Sequence, residues 1–207
     1  MSYLKIKLLK LPVYFLLILG IALLSLDFVP VNQANPLQVE PNNLPQFSSP
    51  VLITSAGQSA EIQLAGVIAK RASLNAELVK MATAENLQGK KTLVLVLGAS
   101  LKGLGAAGLD MNQEISRVSS LLQACQEKSI PVLCLHLGGE ARRGELSDKI
   151  VASFLPLAQL ALVVSSGNKD GFFTRICQEN NIPLILIDRA SEAIDYFQKI
   201  FLINLPQ

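Results

Sequence analysis

The chain has 207 residues, of which half are apolar and 16% charged, with a formal net charge of +2. A mean hydropathy of +0.41 excludes a disordered or collagen-like chain, and the length allows one ordinary domain with an appendage. Without Lys5, Lys7 and Lys10 the balance is 15 basic against 16 acidic residues, so the basic surplus is not on the body; this excludes nucleic acid as a partner.

The first predicted element follows those lysines. Leu11 to Leu26 runs sixteen residues without a charge and ends at Asp27. As a helix it spans about 24 Å against a hydrocarbon core of ~30 Å. It lacks the polar face of a buried surface helix. No lipobox cysteine follows it, and Ala34 is a poor cleavage site because Asn32 is polar. Residues 1–26 therefore read as a signal peptide or an N-terminal hydrophobic helix that anchors the protein in the membrane. The lysines leave the N-terminus in the cytoplasm and the body outside, membrane-anchored or secreted after cleavage.

Residues 27–50 are punctuated by Pro30, Pro36, Pro41, Pro45 and Pro50 in an Asn/Gln-rich stretch, which predicts an extended linker. An irregular arm packed on the body is the alternative.

From residue 51 to 207, short apolar runs alternate with helix-period segments. Strands are predicted at Val51–Ser55, Thr92–Gly98, Ile130–Leu135, Leu160–Ser165 and Pro183–Ile187, with a weaker one at Ala76–Met81. The runs lack alternation, so both faces are covered, as in a parallel sheet. Helices are predicted at Ser59–Ser73, Asn112–Lys128, Ser147–Phe154, Phe172–Asn180 and Ser191–Phe201, with Asp110 and Gln113 as a capping box. The fold class is α/β: a Rossmann-like three-layer domain with a mostly parallel sheet of five or six strands. The least secure unit is the weak strand, whose connection to Thr92 is short for a parallel crossover.

In such a sheet ligands bind outside the carboxyl ends of the strands. The unusual residues follow those ends: Ser55 to Ser59, Ala99 to Gly108, His136 to Gly144, Ser165 to Gly171, and Asp188 with Arg189. Gly103-x-Gly105-x-x-Gly108 matches the dinucleotide fingerprint in form. Four residues separate it from the strand, though, and no acid ends the next strand. A P-loop fails because Leu104 stands where its lysine belongs. The better reading is a small anionic ligand held by Gly-rich backbone and basic side chains. The predicted ligand-binding set is Ser100, Lys102, Gly103, Gly105, His136, Gly138, Gly139, Arg142, Arg143, Asn168 and Asp170.

His136 is the single histidine and the candidate catalytic acid or base, with Glu140 or Asp170 able to orient it. Asp170 reads equally as a helix N-cap. Ser55, Ser100 and Ser165 follow strands, but none stands in a G-x-S-x-G elbow. Cys125, Cys134 and Cys177 have no C-x-x-C spacing and read as buried hydrophobes, so neither a metal site nor a cofactor is predicted.

The strings GASLKGLGAAGLD, HLGGEARRG and SGNKDGFF resemble an uncharacterised bacterial family of exported single-domain α/β proteins, known only as a domain of unknown function. The resemblance covers about residues 50 to 201 and implies export and a self-contained body, with no catalytic residue. The expected function is anion binding at the carboxyl edge. The alternatives are an enzyme using His136 or an envelope interaction module whose protein partner is unknown.

Overall fold

The computed structural model describes residues 44–201. The predicted segment 1–26 and residues 27–43 of the predicted linker lie outside the described residues. Among the described residues, no helix is long and apolar enough to cross a membrane.

Six strands form one sheet: β1 (Val51–Ala56), β2 (Ala76–Leu78), β3 (Thr92–Leu97), β4 (Val132–His136), β5 (Leu160–Val164) and β6 (Leu184–Ile187). Every pairing is parallel, and the order is β2-β1-β3-β4-β5-β6. β1, β3, β4 and β5 are buried along their whole length, which is why their sequences are apolar without alternation. The strand order is doubly wound, and its direction switches between β1 and β3.

Helices cover both faces. Helices α3 (Met111–Glu127), α4 (Glu145–Phe154) and α5 (Phe172–Glu179) pack Val118, Leu121, Phe154 and Phe173 against Leu93, Leu95 and Cys134. On the other face, α1 (Glu61–Arg71) and α6 (Ala193–Ile200) pack Ile62, Ile68 and Phe197 against Val94, Val96 and Leu135. Helix α3 starts as its sequence predicts. Asp110 Oδ1 accepts from the Gln113 N–H at 2.8 Å and Gln113 Oε1 from the Asp110 N–H at 2.9 Å.

Three local expectations are corrected. The weak strand ends at Leu78 instead of Met81, so residues 79–91 make the crossing over β1 to β3. That crossing contains one 3-10 turn, Ala84–Leu87, and buries Ala82 and Leu87 on the α3 side. Secondly, the glycine loop after β3 is in part a helix, α2 (Leu101–Ala106). Ser100 Oγ accepts from the Gly103 N–H at 3.1 Å, and Leu104 is buried. This cap and this anchor outweigh the cost of two helical glycines, about 1 kcal/mol each.

The third correction concerns the linker. Its last residues, 44–50, are an irregular arm on the body. Leu44 and Phe47 are buried on the α6 face, and the Phe47 N–H donates to Ile200 O at 2.8 Å. Phe47 also meets the Phe201 ring, with centroids 5.7 Å apart. We expect Phe47→Ala to destabilise the body by about 3 kcal/mol, the usual scale for a buried Phe, measured by denaturant unfolding. A free linker residue would leave the midpoint unchanged.

Candidate functional site

The carboxyl edge carries two polar clusters on opposite sides of the sheet end, and a third group beneath them. The third is the most deeply buried. Glu114 on α3 is fully buried and paired with Arg117. Glu114 Oε1 accepts from the Gly57 N–H at 2.8 Å and from Gln58 Nε2 at 2.9 Å, while Arg117 Nε donates to Oε2 at 2.9 Å. The guanidinium also donates to Ala82 O at 2.7 Å and Ser55 O at 2.6 Å. Burial pushes the Glu114 carboxyl up, but Arg117, the Gly57 N–H and the Gln58 amide outweigh it, and the pKa lies below the ordinary 4.5.

Above this pair the chain turns from β1 into α1 and presents the first cluster on the α1 face. Ser55 and Ser59 are fully buried and Glu61 is 7% exposed. Arg142 Nε meets Glu61 Oε1 at 2.8 Å, with the Arg142 side chain 45% exposed. The Ser55 and Ser59 hydroxyls and Glu61 Oε2 are buried without a hydrogen-bond partner. Gln58 Oε1 is in the same condition on the α3 side.

Two glycines make room for the cluster. Gly98 continues β3, its N–H donating to Ala56 O at 3.0 Å. A Cβ on Gly98 would stand 2.9 Å from Glu61 Oε2 and 3.3 Å from Ser59 Oγ. A Cβ on Gly138, after β4, would strike both Arg142 and Glu61. Glu61 thus lies between the ends of β3 and β4, beside the switch point.

The second cluster lies after β4 and β5. Arg143 Nε donates to Asp148 Oδ1 at 2.6 Å, and its two terminal nitrogens reach Asp170 at 2.9 Å each. The guanidinium also lies 4.6 Å from the Phe172 ring centroid. The Arg143 hydrogen bond holds Asp170 down to about 2. Asp170 also accepts from the Phe172 N–H at 3.2 Å, and Asn168 Oδ1 from the Phe173 N–H at 2.9 Å, so both help cap α5. Lys169 pairs with Glu140.

His136 is fully buried under this cluster, against Phe173 at 4.9 Å between centroids. Nδ1 lies 3.0 Å from Leu97 O and Nε2 3.1 Å from Gly139 O. Both ring nitrogens are engaged by backbone, so the geometry is that of a structural clamp between the ends of β3 and β4. No described serine hydrogen-bonds to it.

The predicted anion set is therefore not brought together as one cradle. Arg142 and Arg143 face carboxylates. Gly103 and Gly105 belong to α2, where Gly103 packs against the Gln58 backbone, and Gly139 abuts Ser166. Lys102 is exposed on α2. Of the predicted residues, only Gly138 and Arg142 border the unpartnered cluster. Ser59 stands among the unusual residues after β1 but outside the predicted set, and Glu61 reads only as part of a helix. The signal that could have found them is a serine and a carboxylate at a helix start immediately after the first strand. The three cysteines are buried and free, as expected; burial pushes Cys125 and Cys177 up to about 12.

A groove of about 750 Å³ opens at the opposite edge of the sheet, lined by Leu122, Pro131, Phe154, Leu157 and Gln159 among others. Its lining contains no charged residue.

Fold and site define a doubly wound α/β domain with a buried polar cluster at its switch point. A family model described as a domain of unknown function (DUF6305) matches residues 48–201, and the chain belongs to that family. No curated protein matches. Among solved structures, AlinE4, an SGNH-hydrolase family esterase, is 13% identical over 77% of this chain and 85% of its own, with a TM-score of 0.28. A GDSL-like lipase from Bacteroides thetaiotaomicron is 11% identical over 66% of each chain, with a TM-score of 0.31. Likeness at this level carries no argument about chemistry.

Two outcomes test the buried groups. Glu114→Gln leaves Arg117 underpaired and should cost about 3–5 kcal/mol. Because the folded-state pKa is lowered, the carboxylate's contribution is present above the ordinary value and is lost as pH falls through the folded one. The wild-type advantage over Glu114→Gln should thus be flat above pH 4.5 and shrink below it in urea titrations. His136→Ala should lower the unfolding free energy by about 2–4 kcal/mol, since it opens a cavity and removes the hydrogen bond the ring donates to a backbone carbonyl.

Proposed function

We propose that the protein binds a small polar ligand at the carboxyl edge of its sheet, on the α1 side of the β1/β3 switch point. The observation that carries this reading is the group of buried unpartnered atoms: the Ser55 and Ser59 hydroxyls and Glu61 Oε2. Buried polar atoms are nearly always hydrogen-bonded, so three on one face of one turn call for a partner. Doubly wound sheets bind ligands at this point. The set of basic side chains after β4 and β5 supports a purely anionic ligand less well, because Arg142 and Arg143 are already paired with carboxylates.

The body is held outside the cytoplasm by the segment after Lys5, Lys7 and Lys10, as an anchor or before cleavage. The arm 44–50 joins the sheet at the amino ends of β1 and β3, where Thr92 Oγ1 donates to Ser48 O at 2.7 Å. A tether attached there leaves the carboxyl edge open. An envelope docking role finds less support. The exposed large apolar residues Leu64, Val67, Met81, Leu101, Leu157 and Leu186 are spread over α1, the β2–β3 crossing, α2, the turn after α4, and β6.

A binding site and a structural cluster differ in the stability of the free protein. Ser55→Ala and Ser59→Ala each remove a buried hydroxyl with no partner. Without ligand they should leave stability unchanged or raise it by up to about 1 kcal/mol. In a thermal-shift screen of the full-length protein against small polar metabolites, the same variants should lose the shift that the wild type shows. Destabilisation of both variants together with no wild-type shift would overturn the reading.

A further inference from the structure

The class of ligand follows from which atoms still lack partners; this step rests on the ligand site just proposed. Glu61 Oε2, in a carboxylate already paired with Arg142, only accepts. The two serine hydroxyls can each accept as well as donate. A phosphate or carboxylate placed against these three atoms would meet the carboxylate of Glu61. A primary ammonium brings three N–H donors to three acceptors and matches the charge of Glu61. A divalent metal fits poorly, since it takes several oxygen ligands and more than one charge. Among the described residues, no group of three or more His, Cys, Asp or Glu could hold a metal ion.

The side chain that covers Glu61 supplies the second half. Arg142 engages Oε1 through Nε, and its side chain is 45% exposed. A carboxylate one carbon from the ammonium would emerge beside that guanidinium, which can bind a carboxylate with two parallel bonds. We infer that the ligand is a small zwitterion of the amino-acid type. Its ammonium group sits on Glu61, Ser55 and Ser59, and its carboxylate faces Arg142. Gly98 and Gly138 let Glu61, Ser59 and Arg142 pack against the ends of β3 and β4, where a Cβ would displace them.

The test is thermal unfolding of the full-length protein with four probes at matched ionic strength: glycine, methylammonium chloride, sodium acetate and inorganic phosphate. Glycine should raise the midpoint by roughly 5–10 °C at about 100 times its dissociation constant. Methylammonium should raise it less, and acetate and phosphate not at all. Glu61→Gln should abolish both amine effects, with Ser59→Ala as the milder variant should Glu61→Gln fold poorly. Arg142→Ala should remove the advantage of glycine over methylammonium.

Stabilisation by phosphate or acetate alone, lost in Glu61→Gln, would overturn the zwitterion and leave the site standing. An equal effect of potassium chloride would replace the ammonium by a simple cation. No effect of any probe overturns the zwitterion; if Ser55→Ala and Ser59→Ala are also destabilised, the ligand site falls with it.

Discussion

The ion pair between Glu114 and Arg117 holds the functional end of the sheet together. Its two side chains belong to one turn of α3, yet they bind the end of β1, the turn after it and the β2–β3 crossing. Two buried charges lose several kcal/mol of hydration each, and only dense hydrogen bonding offsets that loss. Here both Glu114 oxygens are used, and the guanidinium reaches two backbone carbonyls beyond the carboxylate. The backbone of Gly57 and Gln58 is thereby fixed, and Ser59 and Glu61 start α1 from a fixed point. The Arg143 cluster is built differently. Asp170 is 58% exposed, so much of that attraction is screened, and its role is to join the ends of β4 and β5 locally.

Much of the fold was legible because its signal is local. Short apolar runs marked β1, β3, β4, β5 and β6 within two residues of their ends, most plainly in β3 and β5, where burial on both faces leaves almost no polar positions. The Asp110–Gln113 box marked the start of α3 for an equally local reason. What escaped depends on tertiary packing. Helix α2 exists because Ser100 caps it and Leu104 is buried, while Gly103 and Gly105 taken alone read as loop. The arm at Leu44 and Phe47 is fixed by α6, more than 140 residues later in the chain, and the prolines around it gave no hint of that contact.

The site was legible as an edge and not as a set of residues. Sequence reasoning weighted cations and glycines, because those types bind anions when free. Which cations are free depends on where the carboxylates fall. Glu61 is ten residues from the start of β1 and about eighty from Arg142, and no spacing rule joins them. Asp148 and Asp170 take Arg143 in the same way. His136 drew interest as the single histidine at a strand end, yet the carbonyls of Leu97 and Gly139 on its two nitrogens make it a clamp.

The same neutralisation explains why the unpartnered atoms are acceptors. Arg142, Arg143, Lys169 and Arg189 each stand beside a carboxylate, so much of the basic charge at the edge is balanced. What remains is directional: Glu61 Oε2 and the Ser59 hydroxyl beside Gly98, and the Ser55 hydroxyl at the end of β1. A Cβ at residue 98 would stand 2.9 Å from Glu61 Oε2, so Ala there would force the carboxylate to shift. A protein that needed only a stable edge would gain from Ala in place of Ser55 and Ser59, since each change removes a buried polar cost. Glycine at residue 98 serves the cluster itself, because a side chain there would displace Glu61 or Ser59 from the end of β3.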